Sequence, residues 1–105
     1  MDESLFEART PLGFRVRLPR GRWDIIATIK HPVMLAREEE VQATLESPAQ
    51  VRQSRTDPAV FLFYRAERPG RWICVVVKRV DNDEAFVITA YPTDAIKEGE
   101  TIWIR

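Results

Sequence analysis

Apolar and basic residues alternate strictly along Phe14-Arg15-Val16-Arg17-Leu18. Successive side chains of a strand face opposite ways, so this stretch predicts an antiparallel strand with a wet face carrying Arg15 and Arg17. Pro19-Arg20-Gly21 ends it. The period then lengthens. Trp23, Ile26 and Ala27 lie three and four apart, as on one side of a helix, and predict a short helix over residues 23–29. Pro32 disfavours helical backbone at His31 and suits the first turn of a second helix. That helix is expected over residues 33–46. Met34, Val41 and Leu45 share its apolar side, and Glu38, Glu39 and Glu40 lie near its positive end. Beyond Ser47-Pro48 the period returns to two. Strands are expected over residues 51–54, 59–66, 72–80, 84–91 and 101–105. Turn residues separate them in Arg55-Thr56-Asp57-Pro58, Glu67-Arg68-Pro69-Gly70 and Asp81-Asn82-Asp83.

This order predicts an α+β fold with two N-terminal helices packed on one face of a four- to five-stranded antiparallel sheet. Residues 13–105 form a single domain, and residues 1–12 are expected as a loose arm. Residues 72–77 are apolar on both faces of their strand, so the second sheet face cannot be fully wet. It is expected to be a groove, a ligand surface or a homodimer contact. In the strand 84–91, unbroken alternation places Phe86, Ile88 and Ala90 on one side and Val87, Thr89 and Tyr91 on the other. Ile88→Asp is therefore expected to put a charge in the core and unfold the domain. Thr89 and Tyr91 set a hydroxyl and a phenol on one face, just before Pro92 stops the ladder.

Composition narrows the functional classes. The chain has 105 residues, enough for one core, with 16 basic and 16 acidic side chains and a net charge of zero. The overall charge does not point to a polyanion partner. The single cysteine, Cys74, excludes a disulfide framework, reads as a small buried hydrophobe, and fits a reducing cytoplasmic setting. No run of 18 apolar residues is present to span a membrane. The acidic Met1-Asp2-Glu3-Ser4 start lacks the features of a signal peptide.

Glycine-rich nucleotide loops, HExxH, GxSxG and CxxC are all missing. One histidine and one cysteine do not make a His/Cys zinc site, and no metal or cofactor is expected. The chemistry-bearing residues that remain are His31, Arg52, Ser54, Tyr64, Lys78, Thr89 and Tyr91. Such a set suits metal-free phosphodiester transfer. That reaction needs a group to take the 2′-hydroxyl proton, one to protonate the leaving oxygen, and cations for the phosphorane charge. Histidine is the side chain that exchanges protons near neutral pH, and His31 is the sole one. Arg52 or Lys78 suits phosphate, and Tyr64 or Tyr91 a base or a proton. Arg15, Arg17 and Ser54 are expected to contact the substrate. Each of these residues also has a purely structural reading, as a cap, a solvated strand residue or an amphipathic packing group.

The motifs Arg22-Trp23, His31-Pro32, Leu45-Glu46-Ser47-Pro48-Ala49-Gln50-Val51, Phe63-Tyr64, Val75-Val76-Val77-Lys78 and Phe86-Val87-Ile88-Thr89-Ala90-Tyr91 recur in order. With Ile96-Lys97-Glu98-Gly99-Glu100 before Ile102-Trp103, the chain from about residue 12 resembles the phage-type branch of the barnase–EndoU–colicin–RelE ribonuclease superfamily. The resemblance implies an RNA-cleaving site on the exposed sheet face, drawn from His31, Arg52 or Lys78, Ser54, Tyr64, Thr89 and Tyr91. It also implies a toxin-like or phage-derived role, with RNA and an antitoxin or other protein as partners. Ile25 stands where sequences of this type often carry a second histidine. A non-catalytic binding module for RNA or protein is the second expectation.

Overall fold

The computed structural model describes residues 3–105. Seven strands form one sheet: β1 (Ser4–Arg9), β2 (Arg15–Pro19), β3 (Gln50–Gln53), β4 (Val60–Arg68), β5 (Arg71–Arg79), β6 (Glu84–Thr93) and β7 (Glu100–Ile104). Their spatial order is β1-β2-β6-β5-β4-β3-β7. Two helices, α1 (Arg20–Ile25) and α2 (Glu38–Glu46), lie between β2 and β3. The α+β class holds, but the expected architecture of two helices on a four- to five-stranded antiparallel sheet does not. The sheet is larger, and it is mixed, because β2 runs parallel to β6 while every other pair is antiparallel.

Two local events enlarge it. Part of the expected loose arm is β1, which pairs with β2 through Ala8↔Val16 and Glu7↔Arg17 and buries Ala8. The alternation of β1 is too weak to announce a strand, and the hairpin ladder with β2 supplies its order. The chain then returns to β2 through Gly13, whose φ of 94° lies in the left-handed region that glycine tolerates. At the other edge, β7 pairs with β3 rather than extending the meander.

The helical segment is also shorter and more broken than its periodicity suggests. α1 runs on into a π-helical turn, Ile26–Lys30, closed by the His31 N–H donating to the Ile26 carbonyl at 2.7 Å. Pro32–Met34 makes a single 3₁₀ turn, Ala36 sits at φ 64°, and only then does α2 begin. Arg37 bridges Glu40 on α2 and Glu67 on β4. Its guanidinium holds both carboxyls below the usual range.

The expected apolar faces meet in the main core. Phe14, Val16 and Leu18 join Trp23, Ile26, Met34, Val41 and Leu45 against Phe61, Phe63, Val75, Val77, Val87 and Ala90. Phe14 packs on Phe61 and Phe63 at ring-centroid distances of 5.5 and 6.3 Å. Each fully buried aliphatic or aromatic side chain here contributes roughly 1.5–3 kcal/mol.

Alternation breaks once in β6. Val76 opposes Thr89 but Val77 opposes Val87, so Ile88 is the extra residue of a β-bulge. Phases on either side of it differ. Ala85, Val87 and Ala90 enter the core, while Phe86 joins Thr89 and Tyr91 on the second face. This corrects the unbroken alternation expected for the strand. Ile88 is half-buried at the bulge and is not a core residue.

Candidate functional site

The second face of the sheet is built in rows. Gln50, Tyr64, Cys74 and Tyr91 stand opposite one another across β3, β4, β5 and β6, and Arg52, Leu62, Val76 and Thr89 form the next row. Val60, Lys78, Phe86 and Arg17 form a third, across β4, β5, β6 and β2. Leu62, Tyr64 and Cys74 are buried as a second, smaller core, with Trp72, Val76, Tyr91 and Ile96 packed against it. Part of the apolar surface that β5 presents on this side is thus covered by the segment between β6 and β7, through Ile96.

At that end the polar side chains are engaged in structure. Arg52 donates from Nε to the Glu98 carbonyl at 2.7 Å and from NH2 to the Gly99 carbonyl at 2.8 Å. Gly99 has φ 78°, and a Cβ there would lie 2.5 Å from the Gln53 carbonyl oxygen. Backbone contact of that closeness needs glycine. Tyr64 is 2% exposed, and burial raises its phenol pKa. Burial also pushes the Cys74 thiol up to about 11, so it is no nucleophile near neutral pH. The Ser54 hydroxyl accepts from the Thr56 and Asp57 N–H groups within its own turn.

The β6 edge is different. Along β6, β2 pairs with Glu84, Ala85 and Phe86 alone before it turns into α1. Both α1 and the 3₁₀ turn contact β6. The π turn between them widens the backbone and ends at His31, whose ring lies 5.4 Å from that of Tyr91 at 36°. Burial raises the Tyr91 pKa, so its phenol stays a hydrogen-bond donor. Thr89 Oγ1 is one of two buried side-chain oxygens without a hydrogen-bond partner among the described residues; Glu38 Oε1 is the other.

The expected site residues fall into two kinds. His31 lies against Tyr91, and Thr89 shares the Tyr91 face of β6. Arg17 lies on the same face, two register positions from Arg15, which is paired with Glu84. Lys78 stands beside Phe86 but donates to Asp57 at 3.3 Å. The Asp57 carboxyl is held low, first by the Ala59 N–H and then by Lys78. Arg52 and Ser54 are engaged elsewhere, and Tyr64 is linked to Tyr91 only through the buried Cys74 between them.

Two residues escaped notice. Arg22 places its guanidinium 5.9 Å from the centre of the Phe86 ring. Arg17, Pro19, Arg22, Ile25 and Phe86 line a cavity of about 330 Å³. Strict alternation had sent Phe86 to the other face. The Arg22-Trp23 pair was a motif without an assigned role.

Among the described residues, no group of three or more His, Cys, Asp or Glu side chains is placed to hold a metal ion. No described helix is long and apolar enough to cross a membrane. No family model, curated protein or solved structure matches the chain.

Proposed function

We propose that the protein is a metal-independent endoribonuclease of the barnase–EndoU–colicin–RelE type, acting by 2′-hydroxyl transesterification. The observation that carries this reading is the His31 ring set against Tyr91, one residue pair along β6 from the unpartnered Thr89 hydroxyl. In this reading His31 takes the 2′-hydroxyl proton. The 2′-oxygen then attacks phosphorus, the bond to the 5′-oxygen breaks, and a 2′,3′-cyclic phosphate forms. The imidazolium returns its proton to the leaving 5′-oxygen. Tyr91 donates a hydrogen bond from its neutral phenol to a phosphoryl oxygen. The ordered motif set supports a toxin-like or phage-derived role in a reducing cytoplasm, with an antitoxin as protein partner.

Purified protein incubated with RNA in EDTA tests this. Fragments ending in 2′,3′-cyclic phosphate are expected, with His31→Ala slowing cleavage by about 10²–10⁴-fold and Tyr91→Phe by less. Absence of cleavage by a concentrated sample, or equal cleavage by His31→Ala, defeats the reading.

A specific feature favours a second reading, a binding module without catalysis. Ile25, Ile29, Val33 and Leu35 all expose their side chains along the helical segment, Ile29 to 75%. A clean monomer by light scattering, with no retardation of RNA at low salt, counts against that module.

A further inference from the structure

Most cations near the second face already have partners. Arg15 pairs with Glu84, Lys78 with Asp57, and Arg52 with two carbonyls. The guanidiniums of Arg17 and Arg22 form no hydrogen bond or ion pair among the described residues, and both residues line the 330 Å³ cavity. Arg17 is exposed beside Phe86 in the β2–β6 register. Arg22 lies against the Phe86 ring, which leaves its in-plane N–H groups free to donate. Pro19, Ile25 and Phe86 make the remaining wall apolar. Two uncommitted guanidiniums over an apolar wall suit an anion carried on a flat, largely apolar body. Phosphate with its attached nucleoside has that chemistry.

The position of the cavity says how it is used. Phe86 and Tyr91 lie on one face of β6, five residues apart, so their separation is about 15 Å. The α1, π and 3₁₀ turns follow the same edge from Arg22 to His31. We infer that the Arg17/Arg22 cavity is a binding subsite for one nucleotide of a single-stranded nucleic acid, displaced along β6 from the His31–Tyr91 pair. As a substrate subsite it rests on the ribonuclease reading, and as a binding site it can be tested without it.

A short single-stranded DNA lacks the 2′-hydroxyl and cannot be cleaved by this route, so it separates binding from chemistry. Its affinity is measured by fluorescence anisotropy over a series of salt concentrations. The Arg17→Ala/Arg22→Ala variant is expected to bind roughly tenfold more weakly, with the slope of log K against log salt reduced by about 0.7, the value for one lost phosphate contact on a single strand. Arg17→Ala alone, a surface change, is expected to give about half that slope change and guards against a folding artefact. A nucleoside monophosphate should compete, and the matching nucleoside should not. Unchanged affinity and slope in the folded double variant overturns the subsite. So does arginine-dependent binding of an acidic peptide with no binding of the DNA. Cleavage of RNA by wild type with no effect of the arginine changes sinks the subsite and leaves the ribonuclease reading standing. Arginine-dependent DNA binding without RNA cleavage does the reverse.

Discussion

At the β3–β7 end of the second sheet face, Arg52 reaches two backbone carbonyls and Ile96 closes over Tyr64 and Cys74. At the β2–β6 end, the Arg17 and Arg22 guanidiniums have no such partners among the described residues, Phe86 is half-buried, and the sheet edge is lined by helical turns. The same residue type thus serves two purposes on one surface. Where the chain must return across the sheet, an arginine ties down carbonyls that have no ladder partner. Where the chain leaves the sheet, the arginines remain available. A cation on the right face is therefore weak evidence for a site until its partners are known.

The comparison can be broken at several places, beginning beneath both ends. Val87 is fully buried, and Val87→Asp should cost at least about 4 kcal/mol and abolish cooperative unfolding. Ile88→Asp, one residue away at the bulge, should leave a folded protein. Circular dichroism with urea titration separates the two, and equal damage from both changes would rule out the bulge. At the closed end, Gly99→Ala meets both a φ of 78° and the Gln53 carbonyl. A loss of about 2–4 kcal/mol is expected from the same titration. Arg52→Ala removes two charge-assisted hydrogen bonds and should cost about 1–3 kcal/mol. It should leave the salt slope of DNA binding untouched; a lower slope would place Arg52 in the binding surface.

A smaller effect concerns alkaline pH. The folded state keeps the Cys74 proton up to about 11, whereas the unfolded chain releases it from about pH 9. The folded form then binds more protons than the unfolded one, so stability falls as pH rises through that window. Tyr64 and Tyr91, both raised by burial, act in the same direction at higher pH. Urea midpoints at pH 9 and 11 should therefore decline, and the decline should be shallower in Cys74→Ala. Smallest of all, Arg17→Ala should change stability by under about 0.5 kcal/mol, since the side chain is exposed and unpaired. A large loss would mean that the open end is as structural as the closed one.

Residue type and strand position point to His31, Thr89 and Tyr91; the structure sets the His31 ring against Tyr91 and leaves Thr89 on the same sheet face. Arg52 and Tyr64 were selected by the same reasoning and are structural. Nothing local distinguishes them, because the carbonyls that occupy Arg52 belong to residues more than forty positions away. Phe86 was lost to a single inserted residue, since period-two reasoning reverses every face beyond a bulge.

Alternation, turn residues and the period shift determined where most strands lie, that the class is α+β, and which side chains of β2 and α2 form the core. These are short-range consequences of side-chain direction and backbone preference. Only the tertiary structure decided that β1 joins the sheet, that β2 runs parallel to β6, that Ile88 bulges, and that the Arg17 and Arg22 guanidiniums have no ion-pair partner among the described residues. Each of these depends on which groups meet across the sheet, and residue type and period alone do not specify those partners.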